Sequence, residues 1–149
     1  MKTLNDLFNN YVLMSIITAW ISAQILKMVL TFVVSKRIKL ERLVGAGGMP
    51  SSHSASVCAM MISVARFAGV GSPMFAIAFL FAGVVMHDAM GVRREAGNHA
   101  KLLNQIVDTM EENEEIDEQD ELKEFVGHTP LEVLGGALLG ILISMIIPR

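Results

Sequence analysis

YVLMSIITAWISAQILKMVLTFVV, residues 11–34, holds a single charge, Lys27. As a helix rising 1.5 Å per residue it would extend ~36 Å, enough to cross a hydrocarbon core of ~30 Å. It is too long for the apolar part of a signal peptide, and MKTLNDLFNNY before it is too polar, so no cleavable signal is expected. Further along lie three more apolar segments, at about 54–70, 73–90 and 131–147. Each sits at the short end of the ~17–25 residues that a span requires, and short spans thin the bilayer locally or tilt little. Half of the 149 residues are apolar (52%) and the mean hydropathy is +0.50, which leaves too little polar surface to cover four such runs in water. Strand-like alternation is scarce. The expected fold is therefore all-α: one integral membrane helical bundle over residues 1–149 with about four transmembrane helices.

The polar pieces between these runs differ in character. Residues 35–53, SKRIKLERLVGAGGMPSSH, are basic and then glycine-rich. Residues 69–72, GVGS, read as a tight turn. The remaining polar region, 91–130, opens with Leu102, Leu103, Ile106, Val107 and Met110 at helical spacing, which predicts an amphipathic surface helix. An acidic loop follows. Ten of the fifteen acids fall between positions 108 and 124, so the net charge of −3 describes one loop and not the whole chain. Lys36, Arg37, Lys39 and Arg42 in one loop, and Arg93, Arg94, Lys101 and Lys123 in the other, place both polar loops in the cytoplasm and both termini outside. The lone Cys58 excludes an internal disulfide and reads as a small buried hydrophobe.

That topology puts the reactive side chains on one membrane face, in three clusters. In GGMPSSHS, 47–54, Pro50 followed by Ser51 or Ser52 as N-cap starts a helix whose free N–H groups suit a phosphate. His53 in its first turn could protonate a leaving oxygen. The same residues also make an ordinary capped helix start. In HDAMGVRREAGNH, 87–99, Arg93 and Arg94 can clamp a phosphate through forked donors, or simply snorkel at a membrane boundary. Asp88, near the end of an apolar helix, calls for a partner, either an arginine of this loop or Lys27. His87-Asp88 lacks further ligands at useful spacing, so no metal site is expected. In GHTPLEVLGGALLG, 127–140, Glu132 stands four residues after His128 and can hold one imidazole tautomer for attack through the other nitrogen. Thr129, Pro130 and Glu132 equally fit a capping box, and both can hold at once. Gly136 and Gly140 are spaced for close helix packing. Lys27 either snorkels or points into the bundle towards the phosphate site.

Together these residues resemble the divergent branch of the type 2 phosphatidic acid phosphatase / vanadium haloperoxidase superfamily. Pro50-Ser51-Ser52-His53 resembles its Pro-Ser-Gly-His motif. His128-Thr129-Pro130-Leu131-Glu132 resembles the end of its Arg…His-x-x-x-Asp motif, with Arg93 or Arg94 as the arginine and Lys27 as the lysine of its first motif. GGMPSSHSA and DAMGVRREAG are similar to strings of the divergent branch itself. The departures are Ser52 for glycine, Glu132 for aspartate, the absence of an Arg-Pro pair after Lys27, and the long insertion before His128. A parse using His99 keeps the usual gap, but position 103 is Leu and supplies no carboxylate.

The resemblance implies a lipid-phosphate phosphatase that hydrolyses a phosphomonoester through a phosphohistidine, without metal or other cofactor. His128 would be the nucleophile, Glu132 its orienting group and His53 the acid. Lys27, Ser51, Ser52, Arg93 and Arg94 would hold the phosphoryl oxygens. The expected setting is a bacterial cell membrane with the site facing the cytoplasm. The expected partners are the bilayer and a membrane lipid phosphate, not a nucleic acid, and a second copy would complete the bundle as a homodimer. The rival class is a non-catalytic membrane protein that binds lipid headgroups or a partner.

Overall fold

A computed structural model describes residues 2–36, 48–112, 122 and 127–149; most of the basic stretch 35–53 and the core of the acidic run lie outside the described residues. Among the described residues the helices are α1 (Lys2–Phe8), α2 (Tyr11–Ser35), α3 (Ser52–Ala68), α4 (Pro73–Met90), α5 (Val92–Glu112) and α6 (Pro130–Ile146). The four expected spans are α2, α3, α4 and α6, each within two residues of its expected bounds. Local chemistry explains the ends. Asn10, Ser51, Ser72 and Thr129 each accept a first-turn N–H as N-cap, and Pro73 and Pro130 occupy first positions where a missing N–H costs least.

α3 is the central helix, packed against α2, α4 and α6, while α4 lies at the edge. The described core is small-residue rather than large: Ala19, Ala23, Ala55 and Ala59, with buried Ser15, Ser54, Ser63 and Ser144. The large apolar side chains point outward, among them Trp20, Ile25, Ile77, Phe79, Leu80, Leu134, Leu138 and Leu142. In water this would be an unstable inversion; in lipid it is the expected one, because close backbone approach and not apolar burial drives helix association. α2 and the stretch holding α4 are long and apolar enough to cross a membrane, and α6 is a shorter apolar helix. α3 is less apolar because its neighbours, rather than lipid, surround it. On α5, Leu102, Leu103 and Ile106 stay exposed, the stripe that an interfacial helix turns to the bilayer.

The α3–α6 contact is the tightest. A Cβ on Gly136 would collide with the Ser51 carbonyl, and one on Gly140 with the Ala55 carbonyl. Backbone atoms cannot swing aside, so Gly140→Ala must push the helices apart. We expect a loss of about 1–3 kcal/mol, the usual scale of overpacking, measured by thermal unfolding in detergent. Gly83→Ala is the control, since its added carbon meets nothing within 4 Å. Equal melting temperatures for the two variants would rule out this packing.

At the far end of the bundle from these chemistry-bearing loops, Arg66 donates to the carbonyls of Ser144 and Ile147 while its guanidinium lies 5.4 Å from the Tyr11 ring centroid. The Tyr11 hydroxyl also donates to Ser144 O, at 3.1 Å. This latch joins α2, α3 and α6 and accounts for Arg66 without a role in chemistry.

Candidate active site

Three backbone contacts gather the three motif clusters at one end of the bundle. Ser51 N–H donates to the Glu132 carbonyl at 2.9 Å, joining the start of α3 to the first turn of α6. His128 N–H donates to the Ala89 carbonyl at 3.0 Å, joining the residue before the α6 N-cap to the last turn of α4. Gly127 lies flat on the backbone of Arg93 and Arg94, where a Cβ would stand 2.6 Å from Arg94 N. The long insertion before His128 therefore does not carry it away from the arginines: the chain returns to them.

Glu132 is the hub of this arrangement. One carboxylate oxygen accepts from Thr129 N–H at 2.9 Å and lies 3.2 Å from His128 Nδ1. The Thr129 hydroxyl completes a capping box with Glu132 N–H. The cap and the imidazole contact coexist, and the cap fixes the carboxylate that His128 meets. With Nδ1–H donated to Glu132, the lone pair falls on Nε2.

Lys27 is 2% exposed, at the end of a buried stripe on α2 formed with Ser15, Ala19 and Ala23. A snorkelling lysine would be open to solvent; this one enters the bundle. Its charge acts on both His53 and His128, and Arg93 and Asp88 also act on His53. Lys27, His53, Arg93, His128 and Glu132 thus share one electrostatic neighbourhood. Arg93 Nε is bonded to Asp88 Oδ2 at 2.6 Å, which supplies the partner that Asp88 required. Arg94 is exposed, and its backbone meets Gly127. His99 is exposed on α5.

The serines differ from the expectation in manner. Ser51 and Ser52 are buried. The Ser51 hydroxyl caps α3, accepting from Ser54 N–H at 3.3 Å and from the Ser54 hydroxyl at 3.0 Å. What these positions offer an anion is the first-turn N–H groups of α3. Sequence reasoning missed Gly127, Ala89 and Ser54. A glycine directly before the histidine was the one available signal; carbonyl acceptors leave no trace in a sequence.

Burial pushes the His128 imidazole below the ordinary histidine range, and the nearby charges of Lys27 and His53 act the same way; the Glu132 hydrogen bond and charge oppose them only in part. His128 is consequently neutral at pH 7, the form in which nitrogen attacks. The NMR titration of the His128 imidazole should therefore have its midpoint below the usual histidine value. Removing the Glu132 charge, as in Glu132→Gln, should move that midpoint further down. A midpoint that moves up in Glu132→Gln would contradict this arrangement.

A family model described as "Divergent PAP2 family" matches residues 8–143. The chain is also similar to an uncharacterized membrane protein of Bacillus subtilis (strain 168), YuiD. The two are 40% identical over 152 residues, covering 95% of this chain and 96% of the relative. No solved structure matches the chain.

Proposed function

The chain belongs to the divergent PAP2 family, and from that premise we propose that this membrane protein is a phosphatase acting on a lipid phosphomonoester through a phosphohistidine at His128. The observation that carries the proposal is the buried His128 imidazole, 3.2 Å from Glu132 and within the field of the buried Lys27. His128 Nε2 attacks phosphorus, the P–N bond forms as the P–O bond to the lipid breaks, and His53 gives its proton to the departing oxygen. His53 then takes a proton from water as that water attacks the phosphohistidine, releasing inorganic phosphate and restoring His128. Lys27, Arg93 and the N–H groups at the start of α3 hold the phosphoryl oxygens as their charge shifts; Arg94 adds positive charge at the rim. The site is read as facing the cytoplasm, since Arg93 and Arg94 lie at its end of the bundle.

Phosphate release from a panel of lipid phosphates by the purified protein tests this directly. Release from none of them, with headgroup binding intact, would favour the non-catalytic rival. Turnover should survive chelators, because no three His, Cys, Asp or Glu side chains converge among the described residues to hold a divalent ion. Vanadate, which takes the five-coordinate shape of the transferring phosphoryl group, should inhibit. Loss of turnover in chelator with rescue by magnesium would refute the mechanism.

A further inference from the structure

A shallow apolar groove of about 480 Å³ runs along the outer face of α4, lined by Phe79, Leu80, Gly83, Val84, His87 and Asp88, with Val92 at its end. These positions recur every three to four residues, so they form one stripe of the helix. Gly83 makes the notch: nothing lies within 4 Å of where its Cβ would be. α4 is an edge helix of the bundle, and Phe79, Leu80 and Val84 are exposed, so this stripe meets the hydrocarbon of the bilayer. At its polar end stands Asp88, which holds Arg93 at 2.6 Å and whose charge reaches His53. An apolar groove open to lipid along its length, whose polar end is joined to the proposed phosphate site through the Asp88–Arg93 pair, suits an amphiphile with a phosphate head and a hydrocarbon tail.

We propose that this groove on α4 is the subsite for the hydrocarbon chain of the substrate, which enters sideways from the bilayer with its phosphate leading to Arg93. The inference rests on the lipid-phosphatase reading above and deepens it: chain recognition lies on α4, apart from the residues that act on phosphorus. A second copy of the protein is the other occupant such a face could take, and the test separates the two.

Gly83→Leu fills the notch from a position with open space around it, and leucine is the better helix former, so the fold is not weakened. Displacing contact with roughly two methylenes should raise KM about tenfold for a long-chain phosphatidate and for a polyprenyl phosphate alike. Nitrophenyl phosphate, which has no chain, should be hydrolysed as by the wild type. A KM raised for only one of the two lipids identifies that chain as the groove's occupant. Unchanged kinetics on both lipids, or an equal loss on nitrophenyl phosphate, would overturn the proposal, and a shift from dimer to monomer with equal losses would assign the face to a second copy. Photocrosslinking does not need turnover: phosphatidate or polyprenyl phosphate with a diazirine at the chain end should label 79–84 in the wild type and not in Gly83→Leu. Labelling spread equally over α4 and the outer face of α6 would refute the subsite even if catalysis itself failed to appear.

Discussion

His128→Ala is expected to lose turnover of every phosphomonoester, lipid or soluble, by ~10⁶-fold, the scale seen when a covalent nucleophile is deleted. The magnitude follows from the role: without Nε2 there is no P–N bond to form, so a better leaving group cannot compensate. The loss should be chemical and not structural. His128 N–H, which pins the loop to Ala89, belongs to the backbone and survives the substitution. Glu132→Gln should fall between wild type and His128→Ala, since an amide oxygen can still accept from Thr129 and His128 but cannot stabilise a developing imidazolium. His99→Ala should match the wild type, as His99 is exposed on α5 with no carboxylate four residues on. Phosphate release from vesicles, with size-exclusion profiles to show intact protein, checks all three; substantial turnover by His128→Ala would move the nucleophile elsewhere.

His53→Ala should fail in a different way. General acid catalysis contributes ~10²–10⁴-fold, and in the first step it goes into protonating the leaving oxygen. Phosphoenzyme formation by the variant should be slow from an alkyl phosphate, such as a lipid, and much closer to wild type from nitrophenyl phosphate, whose leaving group departs without a proton. Water attack on the phosphoenzyme loses the same group as base, so phosphohistidine should accumulate when the good leaving group is used. Equal losses in phosphoenzyme formation from both substrates would show that His53 binds phosphate and does not move a proton.

Much of the architecture was legible because lipid imposes a simple rule. Helices must be long, apolar and internally hydrogen-bonded, so the spans could be bounded from hydropathy, proline and capping residues. The capping box at Thr129 and the imidazole contact of Glu132 were both readable, since each depends on spacing along one helix turn. Contacts between segments distant in sequence were not. Whether Lys27 snorkelled or entered the bundle turned on the helix face it shares with Ala19 and Ala23, and that face became visible only once α3 had packed against it. Asp88 allowed two partners from sequence, and the geometry chose Arg93. Gly127 against the Arg93–Arg94 backbone, Ala89 O and Glu132 O act through main-chain atoms that every residue type carries. These three contacts turn separate motifs into one site. The amphipathic α5 was expected from its periodicity, whereas α1, only seven residues long, offered none.

Rapid quenching of the wild-type protein with a radiolabelled lipid phosphate tests the central claim most directly. The account predicts a phosphoenzyme that is labile in acid and stable in base, as a phosphohistidine is, carried on the peptide that contains His128 and lost in His128→Ala. A label that persists in His128→Ala, maps to the peptide containing His99, or never forms while phosphate is being released would contradict it.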